Sequence, residues 1–405
     1  MSNNERIQAR IARDKARKLE KRRALVEEHG TAARVFTMQH LFLSFRKRLR
    51  GVSWKGTVQK YAAHAIVKMK RAKDGLLKGI IDVSQSVRSM VIYERGKRRP
   101  VRSVLMDCRV IQGVICDNSI SPLISPSLIY DNPASSVGKG VSFTRKRNLK
   151  FMIEQIKESG KESFALVWDL HNFFGSIRHK DCRARLKAAG QDELLQQHTM
   201  TLIKMYHRQD IEDIKDPAER ARKSWELDND EAVGATLGSQ ISQDMALVVP
   251  NPIDHMIKDE LGCKRAIRFM DDGIIYHRSK EFLNGVYARL KEACTSLGFE
   301  LNEKKTHIFK LSKGLSYLKI RYRATDTGGI IRKIAHESVV RMRRKLKKFA
   351  GLVRLGKMTL DNAFASFMSW FGNAKRIAAT YISRKSMLKL YNKLFHCYRT
   401  EGMIA

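Results

Sequence analysis

Two adjacent carboxylates, Asp271 and Asp272, interrupt an otherwise apolar stretch, between Phe269-Met270 and Gly273-Ile274-Ile275. This pattern predicts a tight β-hairpin whose turn presents both aspartates. Burying carboxylates beside apolar strands is unfavourable unless a cation meets them. A divalent ion such as Mg²⁺ suits that role, because it takes hard oxygen ligands and is often held by one or two carboxylates plus substrate phosphates. For an Asp-Asp pair taken alone, a solvated turn is the alternative.

A third carboxylate, Asp169, directly follows the buried-strand pattern Phe164-Ala165-Leu166-Val167-Trp168. Between it and the hairpin, the small-residue loop 234–243 (GATLGSQISQ) opens a helix predicted from about Ser242 to Glu260. The same order is found in a polymerase palm: first a carboxylate at a strand end, then a glycine-containing loop that opens a helix, and last a hairpin with carboxylates in its turn. There, three carboxylates hold two Mg²⁺ ions that activate the primer 3′-hydroxyl and neutralise the leaving pyrophosphate.

The elements that must position these residues belong to a long and very basic chain. Its 405 residues contain 78 Lys and Arg against 41 Asp and Glu, a formal net charge of +37. Such an excess predicts a polyanionic partner, with nucleic acid favoured and binding that weakens with salt. A ribosomal-type structural protein fits less well, because 43% of the residues are hydrophobic. Basic residues spread along the whole chain also disfavour a membrane-surface role.

Cysteine usage and hydropathy predict a soluble, cytoplasmic protein. The six cysteines stand singly, which indicates ordinary thiols of a reducing compartment and no zinc or disulfide framework: Cys108, Cys116, Cys182, Cys263, Cys294 and Cys397. The first thirty residues are polar, without a secretory signal, and no apolar run is long enough to cross a bilayer.

Several further elements follow from local patterns. Residues 2–29 predict a charged helix that either lies on a partner or is solvated. The pattern of residues 91–112 predicts a β-hairpin with a basic, glycine-containing tip, followed by strand residues. Residues 131–140 (DNPASSVGKG) are typical of a loop, which either contacts a phosphate or is a plain surface loop. A helix over 281–297 stops at Gly298. From about residue 335 the chain is helical and basic, and its recurrent aromatic residues predict a helical-bundle core.

Together these segments resemble the reverse transcriptase family over roughly residues 35–395. Asp169-Leu170-His171-Asn172-Phe173-Phe174-Gly175-Ser176-Ile177 resembles the first palm motif, and Phe269-Met270-Asp271-Asp272 resembles the metal-binding hairpin, where Tyr more often occupies the place of Phe269. Residues 297–306 (LGFELNEKKT) and 315–319 (LSYLK) resemble the next motif and the strand pair that grips the primer. The resemblance implies an α+β, right-hand polymerase fold with fingers, a palm of antiparallel sheet and flanking helices, and a helical thumb. We expect a basic helical extension at 1–34, fingers with part of the palm at 35–165, the palm at 166–325 and the thumb at 326–405.

The same resemblance implies a role for individual residues. Asp169, Asp271 and Asp272 would be the catalytic and metal-binding residues, holding two Mg²⁺ ions. Phe174 would be the sugar gate, a ring that leaves no room for a 2′-hydroxyl, and its neighbour Phe173 is the better core candidate. Expected contacts to the deoxynucleotide come from Arg99, Arg109, Leu170, Phe173, Phe174, Gln243 and Lys304, with Lys304 or Lys305 protonating pyrophosphate. Expected contacts to template and primer come from Lys139, Gly238, Ser239, Tyr317, Leu318 and Lys319.

One departure from the family pattern concerns the central loop. Many relatives carry Gln before its glycine and Pro after its serine, whereas here these positions are Leu237 and Gln243. An apolar Leu237 side chain cannot hydrogen-bond a nucleotide, which predicts relaxed fidelity. Within the family, the same substitution marks the error-prone enzymes of diversity-generating retroelements and also occurs in related prophage-borne and defence-associated bacterial enzymes.

The predicted activity is RNA-directed DNA synthesis, with an RNA template, DNA primer and product, deoxynucleotides and no membrane as partners. Segments 93–99, 130–140 and 369–375 look most like single-gene, prophage-type defence enzymes, which implies a structured non-coding RNA template and an antiphage role. A diversity-generating enzyme and a non-catalytic, maturase-like RNA-binding protein are the alternatives. The three aspartates disfavour the last, because a scaffold gains nothing from converging carboxylates.

Overall fold

Helices and antiparallel sheets alternate along the chain. A computed structural model describes residues 3–81, 83, 86–94, 97–377 and 381–396. Arg95 and Gly96 of the predicted hairpin tip and Cys397 lie outside the described residues, as does the side chain of Arg99. The mixture of helices with antiparallel strands confirms the predicted α+β class. The division into fingers, palm and thumb at the stated boundaries stays a prediction.

The helices, in chain order, are α1 Asn3–His29, α2 Ala32–Val35, α3 Met38–Leu49, α4 Gly56–Ala62, α5 Ala65–Leu77, α6 Met106–Ile115, α7 Ser121–Ile124, α8 Val141–Ser159, α9 His179–Ala189, α10 Glu193–Glu212, α11 Pro217–Asp228, α12 Gln240–Val248, α13 Asn251–His255, α14 Lys280–Ser296, α15 His336–Arg354, α16 Leu360–Ile377 and α17 Tyr381–Phe395. The strands are β1 Val87–Glu94, β2 Lys97–Val104, β3 Phe164–His171, β4 Ala266–Phe269, β5 Asp272–His277, β6 Glu300–Leu301, β7 His307–Lys310, β8 Leu315–Tyr317, β9 Ile320–Ala324 and β10 Ile330–Ile334. Short 3₁₀ turns occupy Ser125–Ser127 and Phe173–Ser176, and π-helical turns occupy Cys116–Ile120 and Met256–Glu260.

The chain divides into two units that each draw on separate stretches of sequence. The first comprises residues 1–140, 170–260 and 290–301, and the second comprises 141–169, 261–289 and 302–405. Strand β3 and helix α14 each contribute residues to both units.

The first unit is mainly helical, and α6 lies at its centre. Eight of its ten residues are buried, from Met106 to Ile115 with only Asp107 and Arg109 excepted. The predicted strand after the β1–β2 hairpin is therefore wrong, and Arg109 lies on α6. Its Nη2 donates to the hydroxyl of Ser103 and the carbonyl of Val104, at 3.1 and 3.3 Å. An apolar run buried on nearly all sides carries no helical periodicity that could distinguish it from a strand.

Local signals fix the helix boundaries around α9 and α10. Gly190 ends α9 in the left-handed region, at φ 101°, where glycine pays no Cβ penalty. Asp192 then caps α10 by accepting a hydrogen bond from the backbone N–H of Leu195 at 2.8 Å. The helix predicted from Ser242 begins at Gln240 and is interrupted at Pro250, which cannot donate a helical hydrogen bond.

In the second unit, β3 pairs antiparallel with both β5 and β7, and β4 pairs with the other edge of β5. Helix α8 and the β8–β9–β10 sheet share one core with these strands, including Phe151, Ile274 and Tyr322. This apolar support lies beneath the strand ends that carry the aspartates.

Helices α15 to α17 enclose a separate aromatic core within the second unit. The rings of Phe367 and Tyr391 stack at 4.7 Å, and Tyr391 also contacts Phe395 at the same centroid distance. Leu346 and Met387 complete the buried centre. The predicted helical-bundle core is confirmed for these residues.

Candidate active site

A two-residue turn joins β4 to β5 and carries the first candidate carboxylate. Phe269 pairs with Asp272, so Met270 and Asp271 form the turn and Asp272 is the first residue of β5. Met270 has φ 58°, whereas Asp271 has no positive φ. A positive φ at the first turn position alone is the sign pattern of a type II′ turn, where glycine is usual. A methionine there holds strain, which the surrounding structure must balance.

The side chain of Arg268 lies beneath this turn and is only 1% exposed. Its Nη1 donates a 3.0 Å hydrogen bond to the carbonyl oxygen of Met270. A guanidinium stays charged at all ordinary pH values, so its burial requires acceptors and nearby negative charge. Arg268 therefore ties the strand to the carbonyl of the strained residue next to Asp271.

Asp169 lies on the neighbouring strand, directly opposite Asp272 in the antiparallel register. It is 5% exposed, and its carbonyl accepts a 2.8 Å hydrogen bond from the backbone of Asn302. In the preceding pair, the indole of Trp168 lies directly against the backbone of Gly273. A side chain at Gly273 would not fit, because its Cβ would lie 2.0 Å from Cε2 of Trp168. Close packing one residue away thus fixes the register that brings the two aspartates together.

Negative charge is concentrated around Asp272. Burial, followed by the negative charges of Asp271 and Asp169, raises the pKa of Asp272 to about 7. A carboxylate such as Asp272, whose ionisation is opposed by burial and by neighbouring negative charges, belongs to a site that a cation stabilises.

Lys305 supplies one such cation. Its Nζ donates to both carboxylate oxygens of Asp169, at 2.7 and 2.8 Å. Partial burial works against its charge, yet its hydrogen bonds to Asp169 and the negative charges of Asp169, Asp272 and Asp271 raise the pKa of Lys305. The adjacent Lys304 is exposed, and its carbonyl accepts a hydrogen bond from His307. Of the two lysines that the sequence left open, Lys305 is the one on the carboxylates.

The three aspartates suit Mg²⁺ by chemistry, since they offer hard oxygen atoms at a place of concentrated negative charge, with Asp169 buried and Asp271 and Asp272 half-buried. Among the described residues, no group of three His, Cys, Asp or Glu side chains is already arranged as a metal cage.

The first unit holds the residues expected to meet the nucleotide sugar. Phe173 is 4% exposed and packs on Phe299 with ring centroids 5.6 Å apart, whereas Phe174 is half-buried. The carbonyl of Phe174 accepts a 2.7 Å hydrogen bond from the backbone of Ala235, which ties this segment to the central loop. Leu170 is buried, so its side chain serves the core.

The central loop is held by two histidines. Nε2 of His179 and Nε2 of His207 both donate to the carbonyl oxygen of Gly234, at 3.0 and 2.9 Å. Gly234 has φ 119°, and a Cβ at this residue would press on the His207 ring at 3.3 Å. Burial lowers the pKa of His179 to about 4 and also lowers the pKa of His207. Both rings are therefore neutral donors at neutral pH.

The end of the loop presents Gly238, Ser239 and Gln243. Gly238 lies against β2, where a Cβ would approach the carbonyl oxygen of Arg102 to 2.8 Å. Ser239 caps α12 by accepting from the backbone of Ser242, and exposed Gln243 accepts from the hydroxyl of Ser135. Gly238 and Arg109 both line a cavity of about 490 Å³ within the first unit. The structure therefore brings together a residue predicted to contact the template or primer and a residue predicted to contact the nucleotide.

The remaining predicted contacts lie on two loops. Nζ of Lys139 lies 4.0 Å from the ring centroid of Tyr130 and donates to its carbonyl. Leu318 and Lys319, at φ 45° and 66°, form the two-residue β8–β9 turn, with both positive φ values of a type I′ turn. Nη2 of Arg145 donates to the carbonyl of Leu318 at 2.8 Å. Tyr317 is buried, whereas Lys319 in the turn is exposed, as is Ser316 on β8.

The family comparison matches the segment that contains these features. A family model described as reverse transcriptase (RNA-dependent DNA polymerase) matches residues 85–322, more than half of the chain. The chain belongs to the reverse transcriptase family. The enzyme is an RNA-directed DNA polymerase, which is a nucleotidyltransferase. It copies an RNA template into DNA from deoxynucleotides. Domains of this family generally use Mg²⁺. No curated protein matches the chain. Among the described helices, none is both long and apolar enough to span a membrane.

Three positions of this reverse transcriptase were not assigned roles from its sequence. Arg268 had a signal, since an arginine between Ile267 and Phe269 interrupts a buried strand. His179 and His207 had none, because a single histidine in a helix does not reveal which carbonyl it reaches in the folded chain.

Proposed function

We propose that Asp169, Asp271 and Asp272 hold two Mg²⁺ ions for template-directed nucleotidyl transfer. The observation that carries the proposal is the direct pairing of Asp169 with Asp272, beside the turn that bears Asp271. The raised pKa of Asp272 supports it, because it reflects negative charge concentrated at the strand ends. When bound, the ions would lower the pKa of the primer hydroxyl and neutralise the leaving pyrophosphate.

The side chains of the enzyme would divide the remaining work. Asp169 and Asp271 would each contribute to both ions, and Asp272 would support the site. Lys305, kept protonated by its carboxylate neighbours, would donate a proton from Nζ to the departing pyrophosphate. Phe174 would exclude a 2′-hydroxyl, and Arg99 and Arg109 would hold the triphosphate through charge-assisted hydrogen bonds.

Removing one charge at a time tests the metal assignment. Asp169→Asn and Asp271→Asn should each lower incorporation by roughly 10²-fold or more, because buried electrostatic stabilisation is lost. RNA affinity should stay nearly unchanged, since neither variant removes a cation. Asp326→Asn is the matched control, because Asp326 is an exposed aspartate of the second unit, paired with Lys161. Full incorporation by either active-site variant, measured with Mg²⁺, would remove the assignment.

We further propose a structured non-coding RNA as the template and antiphage defence as the role. The support is the net charge of +37 and the resemblance of segments 93–99, 130–140 and 369–375 to single-gene defence enzymes. Sequencing the RNA and DNA that co-purify with the enzyme tests this. A recurrent structured RNA with its complementary DNA is expected. An adenine-substituted copy of a nearby coding repeat would instead establish the diversity-generating alternative. RNA without any complementary DNA would favour the non-catalytic, maturase-like alternative.

A further inference from the structure

The C-terminal part of helix α1 packs against the rest of the first unit. Val26 packs against Gly190 so closely that a Cβ at Gly190 would lie 2.6 Å from Cγ2 of Val26. The carbonyl of Gly30 accepts a 2.7 Å hydrogen bond from Asp192, and the guanidinium of Arg22 donates to the carbonyl of Ala188. These contacts fix the direction in which the helix leaves the unit.

Residues 5–24 of α1 are exposed on every side of the helix. Every residue from Glu5 to Ala24 is exposed except the half-buried Ala9. The large apolar residues Ile7 and Ile11 are one turn apart, but Leu19 lies about 80° farther round the helix. A helix that docks on a protein groove presents a continuous apolar stripe, which this segment lacks.

One face of this exposed segment carries a row of cations. Arg6, Arg10, Arg13, Arg17 and Lys21 are spaced at i, i+4, i+7, i+11 and i+15. At 100° per residue they fall within an arc of about 80°, along a length of about 22 Å. Between Arg6 and Lys21 no acidic residue lies in that arc. We call these five residues the arginine stripe.

We infer that the arginine stripe docks a base-paired segment of RNA by its phosphates. Four of its five cations are arginines, whose guanidinium forks bind phosphate oxygens in pairs. A-form RNA hides its base edges in a deep, narrow major groove, so paired RNA is recognised by phosphates and shape. A stiff duplex holds its phosphates at fixed positions, so a row of cations on a fixed helix can bind several of them at once, whereas a flexible strand must first be ordered.

This docking lies outside the segment matched by the polymerase family, and it rests on the proposed use of a structured RNA. A stem held on α1 would position the RNA relative to the first unit without reading its sequence. Since the stripe is distant in sequence from Asp169, Asp271 and Asp272, its removal should weaken RNA docking and leave the chemical step intact.

The test compares two charge-matched variants of the full-length enzyme. Arg10→Gln, Arg13→Gln and Arg17→Gln together remove three charges from the stripe, whereas Lys15→Gln, Lys18→Gln and Arg23→Gln remove three from other faces of α1. Glutamine keeps helix propensity, which far-UV circular dichroism verifies. Fluorescence anisotropy over a series of KCl concentrations measures affinity for an RNA hairpin of about 16 base pairs and for an unpaired RNA of equal length.

For the hairpin, the stripe variant should lose at least about tenfold in affinity, and its salt slope should fall by about 2 to 3. The control variant should lose much less, and unpaired RNA should discriminate little between the variants. Equal losses in both variants would reduce the effect to general electrostatics and overturn the proposal, as would an unchanged stripe variant or an equal effect on unpaired RNA.

A second readout separates this inference from the polymerase proposal. Primer extension on a short template without a stem should be equal in the wild type and the stripe variant. If the aspartate variants retain incorporation but the stripe variant loses hairpin affinity, the metal assignment fails and the docking inference stands. If the stripe variant keeps its hairpin affinity while Asp271→Asn abolishes incorporation, the docking inference fails and the metal assignment stands.

Discussion

Nζ of Lys305 donates to both carboxylate oxygens of Asp169, so the ammonium group of this lysine partly balances the negative charge of Asp169. The same ammonium group is influenced by Asp271 and Asp272, which also raise its pKa. A lysine held in this way is kept protonated and is available to give a proton to a leaving group.

Lys305→Gln should lower the rate of nucleotide incorporation by about 10²-fold, the usual contribution of a positioned acid. Lys304→Gln is the matched control, because it removes the same charge from the adjacent residue, whereas the contacts to Asp169 come from Lys305. Single-turnover incorporation with saturating deoxynucleotide separates the chemical step from binding. Equal rates for the two variants would show that Lys305 has no part in the chemistry.

Phe174→Ala should admit ribonucleotides, because removing the half-buried ring would make room for a 2′-hydroxyl. Phe173→Ala should leave sugar selection unchanged and instead lower the free energy of unfolding by about 3 kcal/mol or more, since its buried ring packs on Phe299. The ratio of ribonucleotide to deoxynucleotide incorporation, measured for both variants, distinguishes the roles. If only Phe173→Ala changes the ratio, the gate has been assigned to the wrong ring.

Gly273→Ala should disturb the β3–β5 pairing, because the added Cβ would overlap the Trp168 indole. We expect a loss of about 1–3 kcal/mol in stability. Incorporation should fall as well, since the next residue pair is Asp169 and Asp272. Gly285→Ala is the control: this exposed glycine in α14 has no atom within 4 Å of an added Cβ, so alanine should stabilise the helix slightly. Equal melting temperatures for the two variants would contradict the packing argument.

The carboxylate hairpin could be predicted from sequence because two apolar runs flanking a short polar pair specify a strand–turn–strand unit locally. The conformation of Met270 could not, since methionine has no preference for positive φ and the turn depends on the tertiary hydrogen bond from Arg268. Likewise, adjacent lysines in a turn, Lys304 and Lys305, are equivalent by sequence, and only the folded strand order determines which one reaches Asp169.

The helix at Arg109 illustrates a second limit. Helix α6 is buried on nearly every side, so its sequence lacks the polar face whose spacing marks a helix, and the preceding strand pattern extended falsely into it. The amphipathic helix α14 and its stop near Gly298 were predicted correctly, because one face of that helix meets water.

The two histidines on the Gly234 carbonyl give the central loop a pH dependence. The lowered pKa of His179, about 4, means that its neutral form is favoured in the folded state. Its contribution to stability is therefore present above the unfolded pKa of about 6.5 and is lost as pH falls toward 4. For His179 alone the loss from about pH 7.5 to about pH 5 is about 2 kcal/mol, and His207 acts in the same direction.

Thermal melts at both pH values should show this loss in the wild type and a shallower one in His179→Gln, whose amide can still donate to Gly234 but does not titrate. His255→Gln is the control, since hydrogen bonds to Ser127 and Asp259 raise the pKa of His255 and its charge stabilises the fold at low pH. Removing it should steepen the loss on acidification. Because Gly234 belongs to the loop that also holds the carbonyl of Phe174 through Ala235, acid should perturb that segment before the enzyme unfolds. A wild-type melting temperature that stays constant or rises on acidification would show that the histidines do not hold the loop.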